Sequence, residues 1–205
     1  MPSAPLGPTV TVLAHARVPS PSADIARERG IPRGLVAVAT LREALTREWP
    51  TDAHVTAYEP LEIPVTNGAP GETMPVRHTR EAVAEGHAAR LTMLIGDVDG
   101  PGHVATPEWR ADVESRLNAS GLAWYSTRNG YRVLEQLPSA YIVATKADER
   151  LWWEFYLGWR AYLLDAHGLE IDERCKDWTR IYRLPNVVRE GKPARSVVRR
   201  LEAMP

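Results

Sequence analysis

The sequence predicts an α+β fold, with helices packed on a largely antiparallel sheet. Three features of its second half carry that expectation. Leu91-Thr92-Met93-Leu94-Ile95 is a short apolar run with the character of a buried strand. Asn129-Gly130 separates two strand-like stretches, the signature of a two-residue hairpin turn in which both residues tolerate positive φ. Asp148 to His167 spaces Trp152, Phe155, Trp159, Tyr162, Leu163 and Ala166 three or four apart and stops at Gly168, the pattern of a long helix with one apolar face.

The elements follow in order. Residues 1–22 contain Pro2, Pro5, Pro8, Pro19 and Pro21, each without an amide donor, and read as a loose segment around one edge strand, Thr9 to Leu13. Leu41 to Trp49 reads as a short helix that stops before Pro50. Residues 53–65 read as extended, with Pro60 and Pro64 arguing for a sheet edge. Asn67 to Pro75 is turn-rich, and Thr79 to Arg90 reads as a helix with Gly86 as its weak point. After the strand at 91–95, Gly96 to Gly102 must turn. Thr106 to Leu117 reads as a helix, with Thr106 as cap, Pro107 in the first turn and Gly121 beyond its end. The hairpin strands are Leu122–Arg128 and Tyr131–Leu137, so Arg128 should face Tyr131 and Thr127 should face Arg132. Asp172 should cap a short helix running to a stop before Pro185, and Ser196 to Leu201 reads as a closing strand.

Composition narrows the function classes. Lys and Arg number 25 against 26 Asp and Glu in 205 residues, a net charge of −1, so any phosphate-binding surface must be local. Arg180, Arg183, Arg189, Lys192, Arg195, Arg199 and Arg200 supply one late basic cluster. The single cysteine, Cys175, excludes a disulfide framework or a cysteine-cluster zinc site. No apolar run approaches the roughly 18–20 residues that cross a bilayer, and no secretory signal opens the chain. These features predict a soluble, cytoplasmic protein without a membrane partner.

Three constellations carry chemistry. Asp97-Val98-Asp99 ends the buried strand. In an extended backbone both carboxylates project to one side, where a divalent cation such as Mg²⁺ or Mn²⁺ relieves their repulsion. A solvated acidic turn is the plainer alternative. Phosphatases of the haloacid-dehalogenase type carry Asp-x-Asp-Gly-Thr after a strand, but here Pro101 stands in place of the Thr. The second constellation is Ser126-Thr127-Arg128-Asn129-Gly130-Tyr131-Arg132, whose hydroxyls and guanidiniums suit phosphate oxygens. The third is Asp177-Trp178-Thr179-Arg180-Ile181-Tyr182-Arg183-Leu184-Pro185, followed by Lys192. On a helix, Asp177 and Arg180 would share a face.

In this order the three constellations resemble the archaeo-eukaryotic primase, or primase-polymerase, superfamily, and look closest to the small primase domains of phages and plasmids. That family has a strand ending hydrophobic–Asp–hydrophobic–Asp, a Ser-x-His hairpin motif and a later acidic motif. In some branches the last motif continues as Asp-x-x-Arg, Arg-Leu-Pro-Gly and a Lys. The resemblance covers roughly residues 90–195. It departs where Arg132 stands near the place of the motif's His and Asn186 replaces the Gly after Pro185.

The resemblance implies a two-lobed primase core, with an N-terminal α/β lobe over residues 23–90 and an RRM-like catalytic lobe over 91–205. It implies a DNA primase or polymerase that makes or extends primers on single-stranded DNA from nucleoside triphosphates. Asp97, Asp99 and Asp177 would be the catalytic metal ligands for Mg²⁺ or Mn²⁺. Ser126, Arg132, Arg180, Arg183 and Lys192 would grip the nucleotide. No Gly-x-x-x-x-Gly-Lys-Ser/Thr loop is present, so a replicative helicase would be a separate protein or domain. The missing His motivates an alternative: a non-catalytic nucleic-acid- or nucleotide-binding replication-initiation module.

Overall fold

The computed structural model describes residues 9–15, 36–50, 52–64, 69–189, 192–194 and 196–201. In chain order these form β1 (Thr9–His15), β2 (Val36–Thr40), α1 (Leu41–Thr46), β3 (Asp52–Thr56), β4 (Leu61–Pro64), β5 (Thr73–Val76) and α2 (Arg80–Ala84). There follow β6 (Ala89–Asp99), α3 (Pro107–Ser120), β7 (Ala123–Ser126), β8 (Gly130–Val143) and α4 (Lys146–His167). The described chain closes with β9 (Ile181–Arg183), β10 (Val187–Arg189), β11 (Lys192–Ala194) and β12 (Val198–Arg199). The fold is α+β, and its sheets are antiparallel. One four-stranded sheet has the order β2-β1-β3-β9 and the other β12-β7-β8-β6, with β4-β5 and β10-β11 as two-stranded ribbons.

Capping chemistry sets the helix ends. The Thr40 hydroxyl accepts from the Glu43 amide while the Glu43 carboxylate accepts from the Thr40 amide, a reciprocal box that starts α1. Thr106 and Pro107 start α3, and Gly121 ends it in the left-handed region at φ 80°. Thr145 and Asp148 form the box that starts α4, two residues earlier than the sequence pattern suggests. The buried face of α4 is Trp152, Tyr156, Trp159 and Leu163, whereas Phe155 and Tyr162 are 46% and 58% exposed. Tyr156 takes the inward position because its hydroxyl donates to the Ile95 carbonyl on β6 at 2.9 Å.

Tertiary pairing overrides several local expectations. The strand read as an edge, β1, lies between β2 and β3, and β3 in turn lies between β1 and β9. Neither contains a proline, so both keep donors for two neighbours. The prolines at 2, 5, 8, 19 and 21 lie outside the described residues. The helix expected at 41–49 stops at Thr46, and Trp49 bridges to Val187. Residues 79–90 are not one helix: α2 ends at Ala84, Gly86 reverses the chain at φ 96°, and Ala89-Arg90 already belong to β6. The hairpin register is Ser126↔Tyr131 and Tyr125↔Arg132, two residues off the expected pairing on the first strand, with residues 127–129 as the loop. The short helix expected after Asp172 is a 3₁₀ turn, Glu173–Lys176, and 181–183 is extended because Tyr182 pairs with Val55 of β3. Asp177 and Arg180 therefore share no helix face.

The outer edge of β6 needs covering, since an edge strand leaves backbone groups unpaired. Its first half is stitched by the Thr92 amide to the Ala57 carbonyl and the Glu59 amide to the Arg90 carbonyl. Its second half meets residues 171–182. The Asp172 amide donates to the Asp97 carbonyl at 2.9 Å, and the Tyr182 hydroxyl reaches the Ile95 carbonyl at 3.3 Å. Gly96 permits this approach, because a Cβ there would sit 2.7 Å from Ile171 Cγ2. The edge is thus the seam that brings distant residues to the Asp97 end of β6.

One buried phenol makes the fold alkali-sensitive. Burial, and then a 2.7 Å hydrogen bond donated to the Glu114 carboxylate, raise the Tyr131 pKa from 10.0 to about 12. The folded chain keeps a proton that the unfolded chain loses, so this stabilisation is complete below the unfolded value and is lost as pH rises through about 12. Denaturant titrations should show the unfolding free energy falling across that window, and Tyr131→Phe should flatten the fall.

Candidate active site

The expected pair Asp97 and Asp99 lies in the last residues of β6, pointing to one side while Val98 between them is buried. Both line a cleft of ≈ 380 Å³. Ser126, the 127–129 hairpin loop, Arg132, Arg183-Leu184-Pro185, Ala194 and Ser196 are among its other walls.

Strand register explains the charges. Asp97 on β6 pairs with Arg132 on β8, and Arg132 Nε donates to Asp97 Oδ1 at 2.6 Å. On the other side Arg180 donates through Nη2 to Asp97 Oδ2 at 3.2 Å and through Nη1 to Asp172 Oδ2 at 3.3 Å. A single guanidinium therefore bridges two carboxylates that are far apart in sequence. Burial by itself lowers the pKa of Arg132, but neighbouring Tyr125 and Asp97 overcome it and raise the value, so the group stays a cation. Burial likewise opposes, and Cys175, Tyr182, Asp97 and Asp172 together outweigh, at Arg180. The neighbouring Cys175 thiol is pushed up to about 12 by burial and by Asp97, which leaves it neutral and unreactive.

Asp177 belongs to a different network. Its Oδ1 accepts from Arg80 Nη2 at 2.8 Å, from the Thr179 amide and from the Thr179 hydroxyl. Arg80 also pairs with Glu149 of α4. Asp177 does not line the cleft. The sequence predicts Asp177 beside Asp97 and Asp99, but the structure pairs it with Arg80 instead, and the carboxylate linked to Asp97, through Arg180, is Asp172. The sequence assigns Asp172 to capping, and it does cap, its Oδ1 accepting from the Arg174 amide. Its second oxygen accepts from Arg180 and its amide donates to the Asp97 carbonyl, so it stands behind Asp97; neither Asp172 nor Arg180 is itself a lining residue of the cleft.

The remaining expected residues separate. Ser126 lines the cleft, and its hydroxyl accepts from the Val197 amide at 3.0 Å, tying down the last strand. Arg183 also lines it, but its guanidinium is committed to Asp52 through 2.7 and 3.0 Å bonds. Its carbonyl accepts from Arg132 and from the Tyr125 hydroxyl, so Arg183 works as a scaffold. Lys192 is exposed on β11 and is not a lining residue. Arg128 is exposed at the rim.

Arg110 of α3 holds the hairpin loop and was not indicated by any motif. It donates to the carbonyls of Thr127 (3.1 Å) and Arg128 (2.8 Å), with a weaker contact to Gly130 (3.4 Å), and lies over the Tyr131 ring. Arg110→Ala should cost about 1–3 kcal/mol of stability and loosen the 127–129 loop. Thermal unfolding and titration with a nucleoside triphosphate measure the two effects.

Hard carboxylate oxygens at Asp97, Asp99 and Asp172 are donors of the kind Mg²⁺ and Mn²⁺ take. Each also has an internal partner: two guanidiniums at Asp97, Arg180 at Asp172, and His103 Nδ1 3.3 Å from Asp99. Among the described residues no three acidic, imidazole or thiol side chains converge into a preformed metal cage. The match to a divalent ion is one of donor type only, and Arg132 and Arg180 are both in contact with Asp97. Also among the described residues, no helix is long and apolar enough to cross a membrane. No family model matches the chain, and no curated protein or solved structure matches it either.

Proposed function

We propose that the cleft is the active site of a metal-dependent nucleotidyltransferase of the primase-polymerase type, making or extending primers on single-stranded DNA. The observation that carries this reading is the bridging of Asp97 and Asp172 by Arg180, with Asp99 one step along the strand, beside a cleft walled by hydroxyls and guanidiniums. On this reading the β12-β7-β8-β6 sheet is the RRM-like catalytic layer and the β2-β1-β3-β9 sheet belongs to the second lobe. Asp97, Asp99 and Asp172 would hold Mg²⁺ or Mn²⁺, which would supply activation of the attacking 3′-hydroxyl and charge neutralisation for the leaving pyrophosphate. Arg128, Arg132 and Arg180 bind the triphosphate, and the backbone of residues 127–129, held by Arg110, sets its position. Unwinding falls to a helicase elsewhere.

The experiment is primer synthesis and extension on a single-stranded DNA template with Mn²⁺ or Mg²⁺. Product from the wild-type chain and none from Asp97→Ala/Asp99→Ala supports the reading. Equal product from both ends it. A second reading, a non-catalytic nucleotide- or nucleic-acid-binding module, is favoured by the double capping of Asp97. It calls for binding that survives loss of Asp97 and Asp99, with no polymer made by either chain.

A further inference from the structure

Asp97 is neutralised from both sides. Its side chain is 9% exposed and that of Arg132 is 16% exposed, so water screens this pair little. Arg132 is anchored beyond the ion pair. Its Nη1 donates to the Arg183 carbonyl at 2.7 Å, and its guanidinium lies 5.3 Å from the centre of the Tyr182 ring. Arg180 is held more loosely. It is 31% exposed, and its two carboxylate contacts are 3.2 and 3.3 Å long.

These two arginines differ in what they can do. A divalent cation approaching Asp97 by itself meets two positive charges already in contact with the ligand it needs. A triphosphate meets the opposite field. It offers acceptor oxygens to Arg180, and to Arg132 Nη2, which has no acceptor among the described residues. Moving Arg180 onto a phosphate frees one oxygen of Asp97 and one of Asp172 together, because the same guanidinium holds both. Arg132 stays, fixed by the Arg183 carbonyl and Tyr182.

Resting on the nucleotidyltransferase reading, we propose that Arg180 makes metal binding conditional on triphosphate binding: the anion binds beside Asp97 before any metal does, draws the partly exposed Arg180 from Asp97 and Asp172, and the divalent ion follows. The two ligands are then coupled reciprocally, each raising the affinity of the other by the same factor.

Two binding measurements test this without turnover. In chelator, the wild-type chain should bind a fluorescent ATP analogue, and Arg180→Ala should bind it about tenfold more weakly or worse. Without nucleotide, Mn²⁺ titrations followed by electron paramagnetic resonance should show weak binding to wild type and binding about tenfold tighter or more to Arg180→Ala. Arg180→Lys, which keeps the charge but lacks the two-nitrogen fork, should fall between wild type and Arg180→Ala. Adding Asp97→Asn to Arg180→Ala should abolish the gain, which locates it at this cleft. The proposal is overturned if the wild-type chain fails to bind the analogue in chelator, a result that needs no variant to fold. It is equally overturned if wild type binds Mn²⁺ as tightly as Arg180→Ala. Tight Mn²⁺ binding by wild type together with primer synthesis removes the gate and keeps the enzyme. The expected binding pattern without any synthesis keeps the gate and removes the enzyme.

Discussion

Asp172→Ala is expected to slow primer synthesis roughly 10³-fold or more, whereas Asp177→Ala should leave the rate within a few-fold of wild type. That loss corresponds to about 4 kcal/mol of transition-state stabilisation. The contrast follows from placement. Asp172 donates its amide to the Asp97 carbonyl and shares Arg180 with the Asp97 carboxylate. On the proposed reading, removing its carboxylate takes away the acidic group that shares Arg180 with Asp97. Asp177 faces Arg80 and Thr179, and both side chains of its ion pair are more than 40% exposed. Losing it should cost only about 1 kcal/mol of stability, because exposed pairs are weak. Single-turnover extension rates together with thermal unfolding separate the two effects. The reverse ranking, with Asp177 essential and Asp172 dispensable, would overturn the assignment of the site.

Gly130→Ala should destabilise the fold by about 3 kcal/mol or more and disable the cleft at the same time. A Cβ at this position would lie 2.0 Å from the Val98 carbonyl oxygen and 2.9 Å from Asp99 Cα. Both are backbone atoms of β6, so no side-chain rotation relieves the contact. The pairing Asp99↔Gly130 must open, which displaces the carboxylate-bearing end of the strand and the hairpin loop. Gly102→Ala provides the contrast: a Cβ there meets nothing within 4 Å, and the cost is confined to its left-handed φ of 61°. Denaturant unfolding of both variants measures the difference. A Gly130→Ala chain as stable as wild type would show that β6 and β8 approach less closely than described.

Local chemistry made much of the fold legible in advance. The apolar run at 91–95, the Thr106-Pro107 start and Gly121 end of α3, the amphipathic pattern of α4 and the two hairpin strands all depend on neighbours within about one turn of helix or one strand pairing. The carboxylate pair 97/99 was legible for the same reason, since alternation along a strand is a local property. Gly130 marks the turn in the sequence by its tolerance of positive φ, but what the fold requires of it is close strand approach.

The sequence by itself determined the strand around 91–95, the helices α3 and α4, the existence of the hairpin and the Asp97/Asp99 pair. Only the tertiary structure decided which further carboxylate is linked to Asp97 through Arg180. Asp172 and Asp177 both sit among basic residues, and spacing favours Asp177 only if the segment is helical. Pairing of Tyr182 with Val55 makes that segment extended, and the exposed edge of β6 recruits Asp172 instead. The same long-range pairing turns Arg183 toward Asp52 and places β1 and β3 inside a sheet. Hydrogen bonds between residues more than 80 positions apart leave no mark in local pattern, so that choice becomes visible only when the strands are assembled.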